Sequence, residues 1–337
     1  MLKKTPVILI IFTLILISSA QAYPITVSDN FGSEVIIKES PQRIVSLSPC
    51  NTEILFAVGA GDQVVGGTTY DTYPPEAVNL SKIGGFSTVD IEAVVNLTPD
   101  LVLAEYGNGE ETVNALMNLN LTVVSLNPKT LDDILDNILL VGKITGNDES
   151  SLLLTTDMKQ KIENIGAQTK DIPDSNKPTV LYIVWHDPMY AAGTGSYPND
   201  LLTIAGGMNI VDEEGWPIID LEQIIDRNPE IIICSGMGSG SYTIMEAITE
   251  NEVLSTVDAI KNNKVYPISD PDVMELAGPR IVEGLTELYG YIEPEIESNA
   301  TVIATEDQTN VSQSPDFSIL FAISIVLLMA YLQKRRN

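Results

Sequence analysis

The chain has 337 residues, room for two domains with cores of their own. Its formal net charge is −28 at pH 7 and its pI about 4.1, which excludes a nucleic-acid binder because so acidic a surface repels polyanions. Five of the 18 basic residues lie at the extreme ends (Lys3, Lys4, Lys334, Arg335, Arg336), so the part between is more acidic still, as adaptation to a saline medium would make it.

Lys3 and Lys4 precede an apolar run from Val7 to Ile17 and then Ser-Ser-Ala-Gln-Ala. This is the layout of an export signal over 1–22, with cleavage expected after Ala22. No Cys follows the run, so a lipid on the new N-terminus is not expected. Ile25 to Ile37 reads as a short β hairpin. Arg43 to Ser48 is a buried strand ending in Pro49-Cys50-Asn51, followed by a helix from Thr52 to Val58 that Gly59 and Gly61 stop. Val64 and Val65 form a strand, and Tyr70 to Pro75 and Gly84 to Ser87 are loops.

The stretch DIEAVVNLTPDLVLA, Asp90 to Ala104, returns 130 positions later as DLEQIIDRNPEIIIC, Asp220 to Cys234. Each copy reads as an Asp-capped helix, a Pro break and a strand of branched apolar residues. One repeat at this distance predicts two similar α/β lobes rather than a solenoid. Between the copies come helices near Glu110 to Leu119 and Leu131 to Thr145, with a strand at Leu121 to Ser125. Asp148 to Thr169 has helical spacing and no strand signal, so it is expected to be one long helix bridging the lobes. Thr179 to Val184 opens the second lobe, and Leu201 to Val211 echoes Leu55 to Val65. Helices near Tyr242 to Thr249 and Pro279 to Tyr289 enclose a strand at Lys264 to Ile268.

From Glu293 to Ser314 the composition is polar and reads as a flexible stalk. An apolar run from Phe317 to Leu332 then ends in Lys334, Arg335 and Arg336, a membrane anchor with its basic end inside and the body outside. This end resembles the sorting signals of archaeal surface proteins, although Pro315-Asp316-Phe317 has Asp where that group has Gly. Sequons at Asn79, Asn96, Asn120, Asn299 and Asn310 suit an exported chain. The expected divisions are thus a signal (1–22), an N-terminal lobe (23–147), a connecting helix (148–170), a C-terminal lobe (171–292), a stalk (293–314) and an anchor or sorting signal (315–337).

Alternating strands and helices predict an α/β fold of two Rossmann-like lobes with mostly parallel sheets, joined by one long helix. Ligands bind such sheets beyond the strand C-termini, in the cleft between lobes. The side chains expected there are Cys50, Tyr70, Phe86, Tyr106, Trp185, His186, Tyr190, Trp216 and Cys234. For any one aromatic, packing on its own lobe would serve as well as ligand contact; the set as a whole points to a cleft. Cys50 and Cys234 are expected to be free, half-buried thiols rather than a metal site.

RIVSLSPCNTEILFAVGAGDQVVG (Arg43 to Gly66), TYDTYPPEA (Thr69 to Ala77), the repeated helix and strand, AAGTGSYPNDLLTIAGGMNIVDEEGWP (Ala191 to Pro217) and GPRIVEGL together resemble the class III substrate-binding proteins of ABC importers, which take up vitamin B12 and ferric siderophores. The resemblance covers roughly residues 40 to 291. It implies a ligand held between two lobes with little closure, and one exposed Glu per lobe, Glu92 and Glu222, docking onto arginines of the permease. A carboxylate in a helix's first turn is also favoured by the helix dipole, by ~0.3–1 kcal/mol, which alone would account for either one.

In B12-binding members a Trp before the second Glu helix stacks on the corrin, and Trp216 matches it. The corresponding lobe-one position is Phe86, and a third falls at Glu105-Tyr106. A corrinoid is therefore the expected ligand, ahead of a ferric siderophore or other Fe(III) chelate. Haem with His186 as axial ligand is a further alternative, and a plain strand-end role is the ordinary reading of that His. The implied partners are the chelate, an ABC permease with its ATPase, and the membrane through the anchor, for a monomer with no cofactor of its own.

No GxSxG, Walker A loop, GxGxxG before a helix or Cys/His metal spacing occurs, and GTGS at Gly193 to Ser196 lacks the Lys of a phosphate loop. An enzyme is not expected; a surface enzyme without a recognisable motif is the reading of another class.

Overall fold

The computed structural model describes residues 23–236 and 240–309. Its strands in chain order are β1 (Ile25–Ser28), β2 (Glu34–Ile37), β3 (Ile44–Ser46), β4 (Val64–Gly67), β5 (Ser81–Lys82), β6 (Leu101–Glu105), β7 (Val123–Leu126), β8 (Thr179–His186), β9 (Met189–Ala191), β10 (Met208–Asn209), β11 (Ile231–Cys234) and β12 (Val265–Pro267). β1 and β2 pair as an antiparallel hairpin. One sheet runs β5-β4-β3-β6-β7 and is parallel throughout. The other runs β10-β8-β11-β12, also parallel, with β9 folded back antiparallel on β8. Matching β3, β4, β6 and β7 to β8, β10, β11 and β12 gives the same spatial order in both sheets, so the repeat read from the sequence is a repeat of topology.

Parallel sheets covered by helices bury both faces, and the strands alternate accordingly. In β6, Leu101 and Leu103 join the central core while Val102 and Ala104 face an outer one. In β11, Ile231 and Ile233 join the central core while Ile232 and Cys234 face the outer core of the second lobe. The central core is continuous across both sheets. The helix Asp148–Thr169 packs against Leu131–Thr145 on one side and against Tyr197–Ile204 and Ile281–Thr309 on the other.

Both copies of the repeat begin on a side-chain cap. The Asp90 carboxylate accepts the Ala93 N–H ahead of the helix Ile91–Asn96. Asp220 accepts the Gln223 N–H ahead of Leu221–Arg227, where the Gln223 side chain returns a bond to the Asp220 backbone. Each cap satisfies N–H groups that the helix cannot.

Three elements differ from the sequence reading. The first helix begins at Pro49 rather than Thr52, because Pro suits a first turn that needs no N–H, and Cys50 is thereby drawn into the helix and buried. β8 runs on to His186 and turns straight back into β9, so Trp185 and His186 belong to a hairpin and not to a loop. The last helix, Ile281–Thr309, passes the expected break at Glu293 and includes Pro294. Ile281, Leu285, Leu288 and Ile292 anchor its buried face. Ile292 and Ile296 pack on the central core on either side of Pro294, and that burial carries the helix past a residue that composition alone reads as a break. Among the described residues no helix is long and apolar enough to cross a membrane. The expected signal over 1–22 and the expected anchor run from Phe317 to Leu332 lie outside the described residues.

Candidate functional site

The C-terminal ends of both sheets open on one cavity of about 800 Å³, within the usual range of ligand sites. Tyr70, Phe86 and Tyr106 line it from the first lobe and Trp216 from the second. Tyr70 and Tyr106 are about two-thirds exposed (64% and 66%) and Trp216 is 42% exposed, so each keeps ring surface open to a ligand, with Phe31 stacked on Tyr106 at 6.0 Å between ring centroids.

Each aromatic is placed by its own local device. Asp71, buried, accepts the Thr68 N–H and the Thr52 hydroxyl, which ties the Tyr70 loop to the first helix and leaves the tyrosine outside. The Asn108 amide donates to the carbonyls of Phe86 and Leu47, both at 2.8 Å, and so joins the Phe86 loop to the end of β3. The Phe86 ring lies directly on Gly107, where a Cβ would come within 2.2 Å of it.

Trp216 rides on a loop laced to the strand-end segment Met189–Ser196. Gly193 N–H donates to Gly215 O at 2.8 Å, Gly215 N–H to Thr194 O at 2.9 Å, Thr194 N–H to Glu213 O at 2.8 Å and Ala191 N–H to Pro217 O at 3.0 Å. The GTGS stretch thus commits the N–H groups of Gly193 and Thr194 to holding the Trp216 loop. A Cβ on Gly193 would meet the Glu213 carbonyl oxygen at 2.0 Å, so only glycine permits that approach. Arg227 grips the same loop through Glu213, whose carboxyl it holds down at about 2.

Trp185, His186 and Tyr190 are brought elsewhere. They lie on the β8–β9 hairpin and do not line the cavity. Trp185 donates through its indole N–H to Asp187 O at 2.9 Å, and the His186 ring sits 5.5 Å from the Trp185 ring. Cys50 lines the cavity; Cys234 does not, because the two-residue strand period turns it to the outer core. Both thiols are free and fully buried rather than half-buried, and burial pushes both up, Cys234 to about 12. Glu92 and Glu222 are exposed in the first turns of the repeated helices.

The cavity floor holds residues to which the sequence assigned no ligand contact. Glu105, at the end of β6, accepts from the Ser48 hydroxyl and from the Asn108 N–H. Glu275, on the short helix Asp272–Glu275, accepts from the Ser235 hydroxyl. Burial raises both carboxyls, Glu275 to about 7. Between them stands Tyr197, 7% exposed, its ring 5.8 Å from Trp216 in an edge-to-face contact and its phenol bonded to Glu275 O at 3.3 Å. Burial, then Glu275 and Glu105, push that phenol well above its ordinary value of 10.0, so it stays a neutral donor. Glu105 carried a signal: it is an acid ending a buried strand, and 130 positions on the repeat has Ser235. Tyr197 lay within a motif quoted above, whereas Glu275 follows no periodic pattern at all.

Two matching parallel sheets meeting at a shared cleft, with a helix across their back, define a two-lobed ligand-binding protein. The chain belongs to the Periplasmic binding protein family, which matches residues 44–271, and to its class III substrate-binding branch. It is 32% identical over 281 residues to an uncharacterized ABC transporter substrate-binding lipoprotein, YvrC, of Bacillus subtilis, covering 82% of this chain and 87% of that one. Among solved structures it resembles the periplasmic vitamin B12 binding protein BtuF of Vibrio cholerae at a TM-score of 0.66, with 27% identity over 76% of this chain and 98% of that one. A possible iron-binding (periplasmic solute-binding) protein from Staphylococcus epidermidis is similar at a TM-score of 0.65 and 28% identity, covering 75% and 99%. The protein is thus an exported substrate-binding component of an ABC transporter, and its family is not enzymatic.

Proposed function

We propose that the protein captures a corrinoid in the interlobe cavity and presents it to an ABC permease. One observation carries this reading: Tyr70, Phe86, Tyr106 and Trp216 offer flat apolar faces around a single opening, and no Lys, Arg or His is among the described residues that line it. Aromatic faces suit a broad, uncharged macrocycle, whereas anionic ferric chelates and haem propionates call for cations. The similarity to a vitamin B12 binding protein supports the same choice. Haem ligated by His186 is disfavoured, because that side chain lies on the β8–β9 hairpin.

Docking is assigned to Glu92 and Glu222, which occupy equivalent positions on the two lobes and match a two-fold permease. Contacts of this kind govern register and on-rate and weaken with salt. The segment 315–337 is assigned to tethering at the outer face of the membrane. Calorimetric titration of the purified protein with cyanocobalamin tests the ligand. Saturable binding at micromolar concentration or below supports the corrinoid. Binding of haem or an anionic ferric siderophore in its place overturns that choice and leaves the transport role intact.

A further inference from the structure

The polar floor of the cavity has a sign. Glu105, Asp272 and Glu275 line it, two of them contributed by the second lobe and one by the first. Glu105 is satisfied by a serine hydroxyl and a backbone N–H, and Glu275 by a serine hydroxyl; none of these donors is a cation. Arg280 acts electrostatically on Asp272, but its guanidinium is taken up by Glu53 and Asp270. Each carboxylate can accept about four hydrogen bonds, so both floor glutamates keep acceptor capacity toward the cavity. A carboxylate brought in by a ligand would join acids that burial already raises, Glu275 to about 7, so its entry costs either like-charge repulsion or a further proton on the floor. Ligand N–H groups would instead complete the bonding of Glu105 and Glu275, and the neutral Tyr197 phenol between them adds no charge of its own.

We infer that Glu105 and Glu275 select the ligand by the charge of its periphery: the site admits a chelate edged with amide or ammonium N–H donors and of zero or positive net charge, and rejects the same chelate edged with carboxylates. For the corrinoid this rests on the proposed function, and names the amidated form as the one taken up. The selection itself depends only on the cavity floor, so it extends to any flat or compact chelate that enters.

Two pairs of probes test it by equilibrium dialysis on the intact protein at pH 8, above the value of about 7 to which burial raises Glu275. The first pair is cyanocobalamin with a cobyrinic acid whose side chains are carboxylates. The second is a cationic ferric trihydroxamate with ferric citrate. The amide corrinoid is expected to bind at least about tenfold tighter than the acid, a difference of ~1.4 kcal/mol. Glu105→Gln and Glu275→Gln, which keep size and shape, are expected to narrow that ratio by admitting the acid form, and circular dichroism establishes that each variant is folded. If no corrinoid binds but the cationic iron chelate is preferred to the citrate, the corrin reading falls and charge selection stands. Equal or tighter binding of a carboxylated member in the pair that binds, or a ratio unmoved in both folded variants, overturns the inference. Binding of no probe overturns both readings.

Discussion

Arg280 of the second lobe grips Glu53 of the first through two bonds, Nε to Oε2 at 3.0 Å and Nη2 to Oε1 at 2.6 Å. Both side chains are largely buried. The same guanidinium reaches Asp270 at 3.0 Å and lies 4.3 Å over the Tyr73 ring, so one residue ties together the first helix, the Tyr70–Pro75 loop and the start of the last helix. Cys50 adds a second link between the lobes, with its Sγ 3.5 Å from Ala277 O. Removing one partner of a buried pair strands the other charge. Arg280→Ala is therefore expected to cost about 3–5 kcal/mol in urea unfolding, while Glu53→Gln costs less because Arg280 keeps Asp270. An Arg280→Ala protein as stable as the parent would show the pair to be idle.

Glu275 couples stability to pH. Its folded value of about 7 lies above the ordinary 4.5, so the folded state holds a proton that the unfolded state has released across that interval. Its contribution is fully present below pH 4.5 and is lost as pH rises through about 7. The stability of the parent relative to Glu275→Gln is thus expected to fall by roughly 1–3 kcal/mol between pH 4.5 and 8, a change in which the other acids largely cancel. A difference that stays flat, or grows, with pH contradicts this environment for Glu275.

Gly193→Ala probes the mount of Trp216. The new Cβ would sit 2.0 Å from Glu213 O, so the loop must move. The variant is expected to lose about 1–3 kcal/mol of stability and to bind ligand more weakly. Gly290→Ala serves as control, a glycine of the last helix with no neighbour within 4 Å of such a Cβ, and is expected to leave ligand affinity unchanged.

Much of this was legible in the chain because it repeats. Asp90 and Asp220 cap equivalent helices, and the alternation of Leu101 to Ala104 against Ile231 to Cys234 follows from burial of both sheet faces. Those regularities are local and periodic, so they can be read from the sequence alone. Four of the seven aromatic and imidazole site residues expected at the cleft reach its lining. The other three lie outside that lining for one reason: β8 continues past Val184 into a hairpin, and strand length depends on tertiary pairing with β9 that no local signal announces. Glu275 and the Glu53–Arg280 pair were invisible for a related reason, since each meets its partner across 40 or more residues of chain.

Charge reversal at Glu92 and Glu222 separates docking from capture. Glu92→Lys and Glu222→Lys are each expected to slow ligand-dependent transport in proteoliposomes several-fold, and the double variant more, with ligand affinity unchanged. The parent's rate is expected to fall as salt screens the contacts. Transport unaffected by the double variant would remove both residues from the permease contact.

The most direct test of the account uses the two tryptophans the chain possesses, one in the cavity lining and one on the hairpin. Equilibrium dialysis with cyanocobalamin on Trp216→Ala and Trp185→Ala compares them under one condition. Stacking on the corrin predicts a roughly 10–100-fold loss of affinity for Trp216→Ala and a change of less than about threefold for Trp185→Ala. Loss of affinity confined to Trp185→Ala, or equal affinity in both, would contradict placement of the ligand in this cavity.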